Sequence, residues 1–233
     1  MILDTKHKLF IVLTATFSAC LLIGDLIGGK LIAVTVFGIG VTTTVGMIPF
    51  PVTFLLTDLI NEFYGQRAAR FVTFLALCMA LLAYAFVYVA ATVPIAEMTK
   101  DPAWTGVREA CFQNVFVGSL RMLSASLVAY VIGQLTDIAV FGALKRWTGT
   151  RLLWLRATGS TAVSQLIDTV AITVVAWTGM MPPAEILRII LSAYTLKIVI
   201  AVGLTPLIYA GHGFVERRLG IQPASRDGEI LDR

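Results

Sequence analysis

The stretch TDLINEFYGQRAAR, residues 57–70, decides how this chain folds. An apolar run over residues 42–61 leads into it, and a second apolar run over residues 68–93 follows it. Each run has the length of about 20 residues that a helix needs to cross the hydrocarbon core of a bilayer. Between the runs, Gly65 is well placed to end a helix, and two arginines follow it. The stretch therefore predicts two membrane helices that meet at a short basic turn.

The composition extends this prediction to the rest of the chain. Its 233 residues are 58% hydrophobic and 14% charged, with a mean hydropathy of +0.86, whereas soluble domains are about one quarter charged. In lipid, apolar segments must be helices because every backbone polar group needs an internal partner. The apolar segments are residues 9–27, 42–61, 68–93, 115–144, 157–178 and 186–209. The predicted fold class is an all-α integral membrane protein with six transmembrane helices in one bundle.

Two parts of the chain fall outside these segments. Residues 30–41 are apolar, too short to span a bilayer and rich in Val, Thr and Gly, which predicts an extended or re-entrant piece between the first two helices. Residues 217–233 mix charges with Gly and Pro, and we expect them to form a disordered cytoplasmic tail. Residues 1–216 then form a single transmembrane domain.

The distribution of Lys and Arg predicts the orientation in the membrane. Most of the 18 basic residues fall at the two termini and in alternate loops. Loops rich in Lys and Arg face the cytoplasm. Six spans with both termini in the cytoplasm fit this alternation, whereas five or seven spans would not. The same placement explains the formal net charge of +4 without nucleic-acid binding.

Ionisable side chains inside the apolar segments are the clearest functional signal. A charge within a bilayer costs several kcal/mol, so such residues usually face the bundle interior, pair with one another or line a path for a polar solute. The ionisable residues within the predicted spans are Asp25, Asp58, Glu62, Arg121, Asp137, Asp168 and Lys197. They indicate a polar site inside the bundle rather than a simple membrane anchor.

The two acids of the opening stretch share one helix face. Asp58 and Glu62 are separated by one helical turn, so their side chains are neighbours on the same side of the helix. Glu62 is equally well explained as a residue that Arg67 or Arg70 neutralises at the membrane edge. Asp58 lies deeper, and this explanation suits it less well.

A Q-x-x-D pattern occurs on two successive spans. Gln134 and Asp137 form it on the fourth span, and Gln165 and Asp168 form it on the fifth, which places an amide and a carboxylate on one helix face. Asp168 and Lys197 each lie about ten residues, or about 15 Å, into consecutive spans. We therefore predict a buried ion pair between them, and a structural role and a substrate site fit that pair equally.

The chemistry of these side chains suits a planar heterocycle. A carboxylate accepts two hydrogen bonds, and a primary amide offers a donor and an acceptor side by side. Together they match an amide–amidine edge such as that of guanine, and Phe50, Tyr64 and Tyr130 could stack on the ring. A sugar or an amino acid could use the same groups, so the residues alone leave the solute open.

Three blocks of the sequence carry a family resemblance. They are FPVTFLLTDLINEFYGQRAAR (residues 50–70), RMLSASLVAYVIGQLTDIAVFGALK (residues 121–145) and LRATGSTAVSQLIDTVAITVVAW (residues 155–177). With these blocks, over most of residues 25–209, the chain resembles the vitamin uptake or queuosine precursor transporters, a family of six-helix bacterial membrane proteins. The site residues that the resemblance implies are Asp58, Glu62, Arg70, Arg121, Gln134, Asp137, Arg156, Ser160, Gln165 and Asp168.

The resemblance also implies a function and a fold. The function is import of a 7-deazaguanine, such as 7-cyano-7-deazaguanine, across the bacterial inner membrane for the synthesis of queuosine. The fold is similar to that of the substrate-binding subunits of energy-coupling-factor transporters. The expected partners are the small-molecule substrate, the lipid bilayer and, as an option, a second copy of the chain.

Three classes of function remain to be compared. The leading interpretation is a stand-alone importer that acts as a facilitator or a proton-coupled carrier. The second is a binding subunit that needs a separate ATP-driven module, because the chain has no nucleotide-binding motif of its own. An enzyme is disfavoured because the chain has no GxSxG motif and no zinc-ligand spacing, while His7 and His212 lie near the termini. No cofactor or metal is expected.

Overall fold

The computed structural model describes residues 4–28, 30–36, 39–117, 120–149 and 151–224. Its helices are α1 (Thr5–Ile27), α2 (Phe50–Thr92), α3 (Glu109–Phe112), α4 (Leu120–Thr148), α5 (Leu153–Trp177), α6 (Pro183–Gly203) and α7 (Thr205–Leu219), and its strands are β1 (Leu31–Val36) and β2 (Ile39–Thr44). Within the described residues, the helical segments long and apolar enough to cross a membrane are Thr5–Ile27, Val45–Thr92, Ser126–Thr148 and Pro183–Gly203. The chain is therefore a helical membrane protein.

Helix α1 begins at a side-chain cap. The Oδ1 atom of Asp4 accepts a hydrogen bond of 2.7 Å from the backbone N–H of His7, which satisfies one of the free donors in the first turn of the helix. This hydrogen bond holds the pKa of the Asp4 carboxyl below its ordinary value. The cap lies just before the first apolar segment, where the sequence predicts the first span to begin.

Helix α2 consists of two helices joined at Gly65. This glycine has φ 80° and ψ 175°, a conformation that residues with a side chain rarely adopt. Before the glycine, the chain runs alongside α1 in the opposite direction. The Tyr64 hydroxyl donates to the carbonyl of Lys6 at 2.7 Å, and Pro49 lies against Gly24. The turn thus falls where the sequence predicts one helix to end.

After the turn, the chain runs back along α4. Gln66 donates to the carbonyl of Ile138 at 3.1 Å, and the Tyr130 hydroxyl, about two turns earlier in α4, donates to the carbonyl of Thr73 at 3.2 Å. Residue numbers rise along α2 while they fall along α4, so the two are antiparallel. Asn61, which precedes the turn, donates to the same Ile138 carbonyl at 3.3 Å. The turn of α2 is therefore held at this point of α4.

Helices α4, α5 and α6 pack side by side in alternating directions. The Ser164 hydroxyl of α5 donates to Asp137 of α4 at 3.1 Å, and one turn farther along α5, Asp168 lies against Gly133 of α4. Lys197 of α6 contacts Asp168 at 2.6 Å. This packing directs the polar faces of the three helices toward one another.

A β-hairpin connects α1 to α2. Strands β1 and β2 are antiparallel, and their pairs run from Leu31 with Thr44 to Val36 with Ile39. The extended backbone predicted for residues 30–41 is confirmed over Leu31–Val36 and from Ile39 onward, and residues 37 and 38 lie outside the described residues. The predicted start of the second span at residue 42 is wrong, because residues up to Thr44 pair with β1 and the helix begins only at Phe50.

The last predicted span, residues 186–209, is interrupted near its end. Helix α6 ends before Leu204, and α7 begins after it with Pro206 in its first turn, where the missing N–H of proline has no intrahelical partner to lose. The amide N–H groups of Leu204 and Ile208 still bond the carbonyls four residues earlier. The interruption is therefore a kink rather than a loop.

The C-terminal segment after α7 packs onto the bundle. Ile221 and Ala224 are buried, and the backbone N–H of Ala224 donates to the carbonyl of Glu62 at 2.9 Å. The predicted tail of residues 217–233 thus has defined structure up to Ala224. Residues 225–233 lie outside the described residues.

Candidate functional site

Glu62 is the centre of a buried ion cluster at the turn of α2. Its carboxylate lies 3.0 Å from Nη2 of Arg156 and 3.3 Å from Nζ of Lys145. Lys145 also donates to the backbone carbonyl of Glu62 at 2.6 Å. The exposed fraction is 2% for Glu62 and 0% for Arg156. These three residues form what we call the Glu62 cluster.

The partners considered for Glu62 from the sequence lie elsewhere. Arg67 and Arg70 are exposed on α2. Neutralisation of Glu62 by either arginine is wrong, because α5 brings Arg156, 94 positions away in the sequence, against the same carboxylate. Arg70, a site residue implied by the family resemblance, is not brought into the Glu62 cluster.

Arg156 is enclosed by polar and aromatic groups. Its guanidinium donates to the backbone carbonyls of Gly149 and Arg151 in the loop before α5. The ring of Phe141 lies with its centroid 5.9 Å from the guanidinium carbon, a distance typical of a cation–π contact. The loop between α4 and α5 therefore wraps around this side chain and holds it toward Glu62.

Asp58 and Asp137 lie next to the Glu62 cluster, deeper in the bundle. Both carboxyls are buried, and they interact electrostatically with each other. Asp137 accepts a hydrogen bond of 3.1 Å from Ser164, and the buried Ser160 lies one turn before Ser164. In contrast, the Oδ1 atom of Asp58 has no hydrogen-bonding partner among the described residues.

Asp168 and Lys197 form the ion pair predicted from their depth in consecutive spans. The distance between Nζ of Lys197 and Oδ2 of Asp168 is 2.6 Å. The Phe50 ring lies with its centroid 5.6 Å from the ammonium group. Gly133 of α4 leaves room for the carboxylate, because a Cβ atom there would lie 3.3 Å from Cβ of Asp168. The pair is confirmed, and an aromatic ring accompanies it.

The two glutamines of the Q-x-x-D patterns carry unsatisfied acceptors. The Oε1 atoms of Gln134 and Gln165 are buried and, in the part of the chain that the structure describes, have no hydrogen-bonding partner. Buried polar atoms in proteins are nearly always hydrogen-bonded, and exceptions call for an explanation. A ligand with N–H groups could donate hydrogen bonds to these oxygens.

Most of the predicted site residues, together with Lys145 and Ser164, form one polar column in the bundle. Along α5, Arg156, Ser164 and Asp168 mark successive levels, and Arg156 and Asp168 are about 18 Å apart along the helix axis at 1.5 Å per residue. The column consists of Glu62, Arg156, Lys145, Asp58, Asp137, Ser164, Gln134, Gln165, Asp168 and Lys197. Arg121 belongs to α4, but its side chain lies outside the described residues.

Sequence reasoning missed two members of this region. In the sequence, Lys145 is one of the basic residues of a predicted cytoplasmic loop, and His212 lies near the terminus. His212 of α7 has its Nε2 atom 3.7 Å from Oε1 of Glu62, and its ring centroid is 5.1 Å from that of Phe63. Their positions depend on how distant helices pack, and no local pattern signals that. Among the described residues there is no cluster of three or more His, Cys, Asp or Glu that could hold a metal ion.

The sequence is similar to a known family of membrane transporters. A family model described as "Putative vitamin uptake transporter" matches residues 44–211. A protein of Bacillus subtilis (strain 168) named "Probable queuosine precursor transporter" is 34% identical over 172 residues, which cover 73% of this chain and 72% of that protein. The chain matches no solved structure.

Two further relatives carry related names. The "Queuosine precursor transporter" of Escherichia coli (strain K12) is 34% identical over 139 residues, which cover 60% of this chain and 57% of that protein. The "Probable queuosine precursor transporter" of Haemophilus influenzae (strain ATCC 51907 / DSM 11121 / KW20 / Rd) is 31% identical over 127 residues, which cover 54% of this chain and 48% of that protein. The chain thus spans about half the length of these two relatives.

Proposed function

This chain belongs to the vitamin uptake transporter family, and from that membership we propose that it imports a queuosine precursor into the bacterial cytoplasm. The substrate is 7-cyano-7-deazaguanine or a related 7-deazaguanine. Relatives named as queuosine precursor transporters support the substrate class. The family is one of transporters, which argues against the enzyme alternative.

The observation that carries the proposal is a set of buried acceptor oxygens to which no described residue donates. Asp58, Gln134 and Gln165 each have one such oxygen in the described part of the bundle. A 7-deazaguanine has N–H donors on its pyrimidine ring, its exocyclic amine and its pyrrole ring, so it can satisfy several such acceptors at once. Its carbonyl oxygen suits Lys197, and its ring suits stacking on Phe50, which already lies beside that lysine.

The proposed membrane topology has six spans and both termini in the cytoplasm. The two parts of α2 on either side of Gly65 supply the second and third spans, and α6 with α7 supplies the sixth. The basic residues near the turn of α2 and at the ends of α4 and α7 then face the cytoplasm. Asp168 and Lys197 fall near the midplane, and the fold is one that we expect to resemble energy-coupling-factor binding subunits.

Ligand-dependent thermal stability of the purified protein tests this proposal. A ligand that binds only the folded state stabilises it by mass action and so raises the melting temperature. At a ligand concentration 100 times Kd, the free energy of unfolding increases by about 2.7 kcal/mol. We expect a shift with one of 7-cyano-7-deazaguanine, its aminomethyl analogue or queuine, and a smaller shift with guanine. The substitution Asp168→Asn should abolish the shift because it removes the negative charge paired with Lys197 and replaces one of the two acceptor oxygens by an NH2 donor.

The matched control is Asp101→Asn in an exposed loop, which should leave the ligand shift unchanged. A wild-type protein that no deazaguanine stabilises would contradict the proposed substrate class. An undiminished shift in Asp168→Asn would remove this residue from the site. Uptake of labelled ligand by vesicles that contain only this chain would separate a stand-alone importer from a subunit that depends on an ATP-driven module.

A further inference from the structure

The buried charges around Glu62 do not balance. Asp58, Glu62 and Asp137 supply three carboxyl groups, whereas Arg156 and Lys145 supply two cations. With every group in its usual ionised form, this part of the described bundle carries one net negative charge. An uncompensated charge in an apolar interior costs several kcal/mol. One further positive charge would balance these five groups.

The geometry indicates where that charge is missing. Both cations lie on Glu62, at 3.0 Å and 3.3 Å from its carboxylate oxygens. Asp137 receives the hydroxyl of Ser164. Asp58 is 2% exposed, yet its Oδ1 atom has no partner within the described residues. The deficit thus lies with the neighbouring carboxyls of Asp58 and Asp137.

A proton fits this place. A protonated carboxyl gains an O–H donor, which can bond the neighbouring carboxylate, so that one proton both removes the excess charge and supplies the missing hydrogen bond. When two carboxyls share a buried site, their repulsion prevents both from being ionised at once. Ser164 already stabilises the charged form of Asp137, which leaves Asp58 as the carboxyl that holds the proton.

The other charged groups of the region do not provide the missing charge. Asp168 and Lys197 balance each other. His212 lies 3.7 Å from Glu62, so a charge on its ring would fall beside a carboxylate that already has two cations, and Oδ1 of Asp58 would still have no hydrogen-bonding partner among the described residues. The second ring nitrogen of His212 lies 3.7 Å from Glu216, which is partly exposed. His212 and Glu216 therefore lie between the Glu62 cluster and solvent, on the side where a proton would leave.

We propose that Asp58 and Asp137 share one proton and that this proton crosses the membrane together with the substrate. The inference rests on the proposed function for its transport step. The carrier takes up one proton at the Asp58–Asp137 pair with one molecule of substrate outside, and it releases both inside. No bond of the substrate forms or breaks.

The proton itself can be observed without any substrate. At neutral pH exposed acids are ionised, so the carbonyl stretch of a protonated carboxylic acid in the infrared spectrum reports buried protons. We expect this band in the wild type and its loss in both Asp58→Asn and Asp137→Asn, because either change leaves two acids opposite two cations. The difference spectrum of wild type minus variant cancels the signal of any other protonated acid.

Asp101→Asn is the control for the spectra and should keep the band. The proposal is overturned if wild type and either folded Asn variant give the same band. Two variants at separate helices are used because one of them could fail to fold, and the melting temperature of each reports this. A band retained in a folded Asp58→Asn or Asp137→Asn protein is sufficient to overturn the shared proton.

Transport by the wild type tests the coupling. In vesicles with the membrane potential clamped at zero, a proton gradient of one pH unit, acidic outside, should accumulate the substrate about tenfold, since one pH unit and a tenfold ratio are the same free energy. Equal concentrations on both sides, or accumulation only with a sodium gradient, would overturn the coupling while the proposed import still stands. Absence of binding and of entry would instead overturn the proposed function, and the infrared band would then decide the proton site alone.

Discussion

Arg156 places a positive charge inside the bundle, and its loss should be costly. Replacing Arg156 by Met leaves the buried Glu62 without its closest cation, and such broken buried pairs typically destabilise by about 3–5 kcal/mol. Unfolding of the purified protein in detergent measures the effect. Arg151→Met is the control: its side chain is exposed in the same loop, and we expect a change within about 0.5 kcal/mol. Equal losses in both variants would contradict the role of Arg156.

The residues of the column differ in how far the sequence predicted them. Asp168 and Lys197 could be paired because they lie at similar depth in consecutive antiparallel spans, where depth alone decides contact. Glu62 and Arg156 could not, because their contact depends on the arrangement of non-consecutive helices. Arg156 follows a loop rich in basic residues and was counted there, and its complete burial becomes visible only when α4, α5 and the turn of α2 are assembled.

At the scale of the elements, the turn of α2 depends on one glycine. Gly65 has a positive φ with an extended ψ, a region that residues with a side chain occupy at a cost of about 1–3 kcal/mol. We expect Gly65→Ala to destabilise the protein by that amount in the same unfolding assay. Gly213→Ala is the matched control, because Gly213 lies inside α7 with open space around it. Alanine there should stabilise by about 0.5–1 kcal/mol, and two changes of the same sign would contradict this reasoning.

The hydrophobic pattern of the sequence predicts some boundaries of the helices and not others. The break at Gly65 was predictable, since glycine and a basic turn interrupt two apolar runs. The exact start of α2 was not, because a short apolar run rich in Val and Thr suits a strand as well as a helix. The pairing of β2 with β1 decides the matter, and pairing is a contact between segments. The kink before α7 was equally hidden, since the apolar run continues through Pro206.

At the scale of the whole molecule, the proposed topology predicts which cysteines can be labelled from outside. Cys111 is exposed within the short helix α3, in a region that the charge distribution assigns to the external side. In a variant without Cys20 and Cys78, we expect a membrane-impermeant maleimide to label Cys111 on intact spheroplasts. A second variant lacks Cys111 as well and carries Arg218→Cys near the C-terminus. We expect the maleimide to label this cysteine only after the spheroplasts are permeabilised. The reverse pattern would contradict termini in the cytoplasm.

The salt bridge between Glu62 and Arg156 also has a consequence for how the protein is made. A ribosome delivers Glu62 to the membrane long before Arg156, since 94 positions separate them. The first helical hairpin therefore leaves the translocon with its acids uncompensated, and Lys145 and Arg156 arrive only with the fourth and fifth helices. Ala224, which bonds the Glu62 carbonyl, arrives later still. The first two helices thus carry only the acidic part of the charge network, and the network is complete only when the last helices have been synthesised.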